Sequence, residues 1–114
     1  MKAPILAAGL CLSALPALAQ AQMEVIPQRY LCERGVEVQT TYVNARGESA
    51  AIINVEGTQI SLLNEKAASG VRYGWPSDGS HYVWWTKGTE ATLYWHDGAT
   101  GREAVLLSEC KAEE

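Results

Sequence analysis

The sequence predicts an all-β domain, a small eight-stranded antiparallel β-barrel closed by one disulfide. Three observations carry this. Apolar residues alternate with polar ones from Val36 onward, no stretch shows a helical period, and turn residues recur at strand-length spacing up to a last cysteine near the C-terminus.

The chain begins with Lys2, an apolar run from Ile5 to Leu15, and Pro16-Ala17-Leu18-Ala19. A charged start, an apolar middle and a small-residue cleavage site are the marks of a secretory signal peptide, and the run is too short to cross a bilayer. Residues 1–19 are therefore read as a signal peptide cleaved after Ala19 or Ala21. Cys11 leaves with it. Ala8-Gly9-Leu10 ahead of that cysteine is not a lipoprotein box, which needs a small residue directly before the cysteine, so an exported protein without a stable membrane anchor is expected.

Processing leaves two cysteines, Cys32 and Cys110, and an even pair in an exported chain reads as one disulfide. The loop it closes spans nearly the whole mature chain, worth roughly 4.5 kcal/mol in the chain-entropy model. A domain this small is marginal without such a staple. A metal reading of the pair fails, because neither His81 nor His96 stands at ligand spacing from a cysteine.

Residues 20–28 are polar and carry Pro27, which reads as an irregular lead-in, with the domain spanning 29–114. Expected strands lie near Tyr30 and over 36–43, 48–55, 58–63, 70–75, 80–86, 89–96 and 103–109. Their inward faces are drawn from Val36, Val38, Thr40 and Tyr42; Ala51, Ile53 and Val55; Ile60 and Leu62; Ala91, Leu93 and Trp95; and Val105 and Leu107. Turns fall at Glu33-Arg34-Gly35, Asn44 to Gly47, Glu56-Gly57, Ser77-Asp78-Gly79 and Asp97 to Gly101. With no helix to cover the sheet edges, closure into a barrel is the simplest way to hide them, a sandwich of two sheets being the alternative, and eight strands leave an interior that side chains just fill.

The stretch from Ser69 to Gly88 stands apart, holding three of the four tryptophans, a small hydroxyl, one lysine and several turn signals. With Ser77-Asp78-Gly79 as its tip it forms a hairpin that brings Ser69-Gly70 and Lys87-Gly88 together at one end.

Charge narrows the partners. Nine Lys and Arg against 13 Asp and Glu give −4, and without Lys2 the balance is 8 against 13, or −5. Nucleic acid needs a basic footprint, so it is excluded, and a cationic partner fits better. Catalysis fares poorly: no nucleophile elbow, metalloprotease motif or phosphate loop is present, and Asp78 and His81 lie by the hairpin tip that points away from Ser69. The protein is read as not an enzyme, with no cofactor. Adjacent Trp84 and Trp85 must face opposite sides of the sheet, and alternation alone leaves open which is inward. Exposed tryptophans allow an alternative function, a cell-wall carbohydrate-binding module.

Tyr30-Leu31-Cys32, Val38 to Asn44, Ser69-Gly70-x-x-Tyr73, Trp85-Thr86-Lys87-Gly88-x-x-Ala91-x-Leu93 and the final Cys110 together resemble the MliC/PliC family of bacterial inhibitors of c-type lysozyme. The resemblance runs almost the length of the mature chain. It implies an eight-stranded barrel with a disulfide near the chain ends. It implies that Ser69 and Lys87 enter the active-site cleft of a c-type lysozyme, with Gly70, Tyr73, Thr86 and Gly88 as supporting positions. The missing lipoprotein box places the chain with the soluble periplasmic branch of that family, PliC-like. The segment Gly74-Trp75-Pro76-Ser77 makes the link between the two motifs longer than the family pattern. Trp75 is then expected either to add a partner contact or to cap the barrel.

Overall fold

A computed structural model describes residues 22–114. The expected signal peptide and Cys11 lie outside them. Eight strands follow in order: β1 (Met23–Leu31), β2 (Glu37–Ala45), β3 (Glu48–Val55), β4 (Thr58–Glu65), β5 (Val71–Gly74), β6 (His81–Lys87), β7 (Glu90–His96) and β8 (Glu103–Ala112). Each pairs antiparallel with the next, and β1 meets β8 through Tyr30↔Ala112 and Leu31↔Lys111, so the sheet closes into a barrel. The Cys32–Cys110 disulfide sits directly beside that closing pair.

Local sequence explains the meander. The β3–β4 hairpin turns on Glu56-Gly57 with φ of 48° and 85°, the positive pair a two-residue turn needs to match strand twist. Inward faces follow the alternation: Val38, Ala51 and Ile53 are wholly buried, and Leu62, Leu93 and Leu107 nearly so. Trp84 is the largest side chain in the core, with no exposed surface. Its indole N–H donates to the Tyr42 hydroxyl at 2.9 Å, and that hydroxyl lies 2.7 Å from the hydroxyl of Tyr30. An indole buried in a barrel this small needs such a partner, because an unpaired N–H there costs about 1–3 kcal/mol.

Three sequence expectations change. Residues 23–28 are not an irregular lead-in; they form most of β1, in register with β2 from Met23↔Ala45 to Leu31↔Glu37. No period-two signal marks them because the ribbon projects past the barrel, leaving Met23, Val25 and Ile26 exposed with no buried face to imprint. Pro27 is tolerated there. The Arg29 carbonyl accepts from Glu113 N–H on the β8 side, so Pro27, two residues earlier, turns its missing N–H to that same edge, where nothing pairs with it.

Trp95, expected inward with Ala91 and Leu93, is 37% exposed and stands outside the core. Val105 is the third change. It is 56% exposed and does not share the inward face with Leu107, because the β7–β8 register shifts between Leu93↔Leu107 and Tyr94↔Val105. Glu109, at φ 55°, carries the second irregularity and lets Leu107 and Cys110 both point inward.

Candidate inhibitory site at the β5–β6 hairpin

β5 and β6 pair at Val71↔Thr86, Arg72↔Trp85 and Tyr73↔Trp84. Continuing that register sets Gly70 against Lys87. The approach is close: at Gly70, with φ 67°, a Cβ would collide with the Thr86 carbonyl oxygen and come within 2.7 Å of Lys87 Cγ. Only glycine meets both the positive φ and the contact. Ser69 and Lys87 are thereby held side by side and exposed, at the end of the barrel that carries the β4–β5 and β6–β7 turns.

The alternation left open for the tryptophans resolves with Trp84 inside and Trp85 outside. Trp85 is half-buried on the outer face, and its indole N–H donates to the Ser69 carbonyl at 2.8 Å. Lys87 Nζ lies 4.7 Å from the centre of the same ring, and the Arg72 guanidinium carbon 5.1 Å from it. Among the described residues Lys87 forms no ion pair, although Glu90 stands opposite it in register. A shallow hollow of about 120 Å³ beside it is lined by Trp85, Lys87, Glu90, Ala91, Thr92 and Tyr94.

Arg72 is fixed from behind. Its Nε lies 2.5 Å from Glu65 Oε2, and its two terminal nitrogens grip both oxygens of Glu103 on β8 as a fork. Glu103 Oε2 also meets His96 Nδ1 at 2.9 Å, and the His96 ring stacks on His81 at 4.8 Å. The Arg72 fork holds the Glu103 carboxyl below the usual carboxylate range, and the Glu103 bond pushes the guanidinium further up. The network crosses β6 and β7, and Val83, on β6 and outside the core cluster, is nonetheless wholly buried.

Of the residues singled out from sequence, Ser69, Gly70, Lys87 and Gly88 are brought together and exposed, and Thr86 is half-buried, its hydroxyl donating to the Val71 carbonyl at 3.3 Å. Tyr73 is different. It is 6% exposed inside the barrel, its ring 5.5 Å from that of Tyr42, so it contacts no partner directly and any support it gives is through the scaffold. Trp75 lies in the 75–80 segment at the opposite end, about 20 Å from Ser69 at the rise of an extended chain. There the segment packs on the β7–β8 turn, where a Cβ on Gly98 would meet the Asp78 carbonyl oxygen at 2.5 Å. A sugar platform gains little: the ring of Trp85 is taken by two cations, and Trp95 is packed edge-on against Tyr82 at 5.0 Å. Sequence reasoning missed Arg72, Glu65 and Glu103, whose meeting depends on barrel closure. Among the described residues no group of three or more His, Cys, Asp or Glu side chains could hold a metal ion, and no helix is long and apolar enough to cross a membrane.

Comparison with known proteins bears on this geometry. The chain is 37% identical over 65 residues to a membrane-bound lysozyme inhibitor of C-type lysozyme from Cupriavidus necator, an alignment covering 57% of this chain and 49% of that one. A protein of the same name from Pseudomonas aeruginosa is 38% identical over 72 residues, covering 60% of this chain and 54% of that one. The chain thus spans about half the length of these curated relatives. The fold matches the crystal structure of Pseudomonas aeruginosa MliC in complex with hen egg white lysozyme, with a TM-score of 0.62 and 30% identity over 93% of this chain and 98% of that one. The profile of the family described as membrane-bound lysozyme-inhibitor of c-type lysozyme matches residues 30–102, and the chain belongs to this family, MliC.

Proposed function

We propose that the protein inhibits c-type lysozyme by inserting Ser69 and Lys87 into the enzyme's active-site cleft, and that it is not itself an enzyme. The observation that carries this is the seating of the Ser69-Gly70 turn directly against Lys87, which sets a hydroxyl-bearing residue and a lysine next to each other on one exposed edge. Family membership supports it, as does a structural neighbour caught on hen egg white lysozyme.

The chemistry matches the target. A retaining glycosidase carries two carboxyl groups about 5–5.5 Å apart, one of them a proton donor. Lys87 gives charge-assisted hydrogen bonds to the carboxylate. Ser69 both donates and accepts, which suits the carboxyl that exchanges its proton. With both groups occupied, the enzyme loses its acid and its nucleophile together. Gly70 lets the backbone come close, Gly88 supplies the positive φ of the following turn, Thr86 braces the edge, and Tyr73 braces it from inside.

We place the working protein in the periplasm, exported by residues 1–19. The Cupriavidus and Pseudomonas relatives are named membrane-bound, whereas the residues before Cys11 here lack a lipid-attachment pattern. Residual cell-wall lysis by a c-type lysozyme is the test, with stoichiometric mature protein or its Lys87→Ala variant. Truncating one partner of a desolvated charge pair costs about 2–5 kcal/mol, so the variant should lose most of its inhibition. Equal inhibition by parent and variant removes the insertion mechanism, and none by either removes the function.

A further inference from the structure

Trp85 touches both halves of the proposed site. Its N–H is spent on the Ser69 carbonyl, and its ring face carries Lys87 Nζ at 4.7 Å. Lys87 follows Trp85 by two residues and so shares the outer face, where the nearest opposite charge by register, Glu90, forms no ion pair with it among the described residues. The ammonium rests on a ring. That leaves its charge free for a partner's carboxylate while limiting the freedom of its four-carbon stem. The indole is in turn clamped: Arg72 lies 5.1 Å from the ring centre and is held by Glu65 and Glu103, and Tyr94 backs it at 6.2 Å.

We propose that Trp85 is the positioning residue of the inhibitory edge, fixing the Ser69 turn through its N–H and the Lys87 ammonium through its ring, with the Glu65–Arg72–Glu103 clamp holding the indole in place. This rests on the reading of Ser69 and Lys87 as the inserting groups. Preorganisation is the physical gain, since a long side chain ordered only on binding loses affinity to that ordering.

The test compares lysozyme inhibition by Trp85→Leu, Trp85→Phe, Lys87→Ala and the double variant Trp85→Leu/Lys87→Ala. Losing one cation–π contact and one hydrogen bond should weaken inhibition by Trp85→Leu about tenfold. Trp85→Phe, which keeps a ring but has no N–H, should fall between. In the Lys87→Ala background the Trp85→Leu loss should shrink, because part of what Trp85 positions is gone, whereas a merely structural residue would cost the same in both backgrounds. Inhibition by Trp85→Leu equal to the parent's, or an undiminished loss in the double variant, overturns the proposal while leaving the insertion reading intact. Full inhibition by Lys87→Ala overturns the insertion reading and this proposal with it. If Trp85→Leu does not fold, two further readouts decide: the Trp85→Phe series, and the proton shifts of the parent. The Lys87 ε-methylene protons should resonate upfield of those of Lys66 and Lys111, and coincidence with them overturns the proposal.

Discussion

Replacing Tyr42 by Phe tests the interior of the barrel. The Tyr42 hydroxyl accepts from the Trp84 indole at 2.9 Å and lies 2.7 Å from the Tyr30 hydroxyl. Trp84 has no exposed surface, so its N–H would be stranded, a loss of about 1–3 kcal/mol. The void left by one oxygen adds little. Tyr73→Phe is the internal control, since its hydroxyl has only Ser49 Oγ at 3.3 Å, and that hydroxyl already donates to Asn44 at 2.6 Å. We expect Tyr42→Phe to lower the unfolding free energy by about 2 kcal/mol, read as a lower urea midpoint at unchanged slope, and Tyr73→Phe by less than about 1 kcal/mol. In a domain of this size each kcal/mol lowers Tm by about 4–8 °C. Alkaline titration adds a second readout. Burial, together with the Tyr30 hydrogen bond, pushes the Tyr42 phenol up from its ordinary value. The folded state therefore resists losing that proton more than the unfolded chain does, and parent stability is full below about pH 10 and falls above it. Tyr42→Phe should show a shallower fall. A Tyr42→Phe protein as stable as the parent, or no less stable than Tyr73→Phe, would refute the buried-indole argument.

Two further expectations concern charge. Glu103→Gln should cost about 1–2 kcal/mol at neutral pH, because it breaks the Arg72 fork in a setting where the Arg72 side chain is only 15% exposed. The Arg72 bond holds the Glu103 carboxyl low, so its contribution is present above the ordinary carboxylate pKa of about 4.3 and is lost as pH falls through the lower folded value. The gap between parent and variant in denaturant melts should accordingly close in acid, and a gap that persists there would assign the loss to packing. Association with cationic lysozyme should slow as salt rises, because a chain with 9 basic and 13 acidic residues is expected to steer a positive partner, and stopped-flow on-rates indifferent to salt would exclude steering.

The barrel was legible because most inward residues sit at period two between glycine-bearing turns, as in Ala51 and Ile53 ahead of Glu56-Gly57. Met23 to Gln28 were not, because a ribbon exposed on both faces has no hydrophobic alternation to read. Val105 misled for the opposite reason: its alternation with Leu107 is present in the sequence but is cancelled by a register shift that only pairing with β7 produces. At the site, Ser69 and Lys87 were found from local motifs and hairpin logic. Arg72 and Glu103, separated by 31 residues and placed on strands with two others between them, meet only once the sheet curves and closes.

Under the proposed insertion of Ser69 and Lys87, the β5–β6 hairpin serves folding and recognition without conflict. On its inner face Tyr73 and Trp84 are register partners and bury into the core; on its outer face Arg72 and Trp85 are register partners and carry Lys87. Alternation separates the two tasks residue by residue, so the inner pair sets the stability of the edge while the outer pair sets its shape. For an inhibitor this division matters energetically. A turn that had to order on entering a cleft would lose affinity to conformational entropy at each immobilised residue. Here Gly70 is already wedged against Thr86 and Lys87, and the Ser69 carbonyl is already bound by Trp85. The Cys32–Cys110 bridge limits the opening of the barrel beside its narrow β1–β8 closure, which is held by two register pairs. A substitution that loosens that closure should therefore weaken inhibition less than one that frees Lys87 from the Trp85 ring, although the first is the more damaging to the fold.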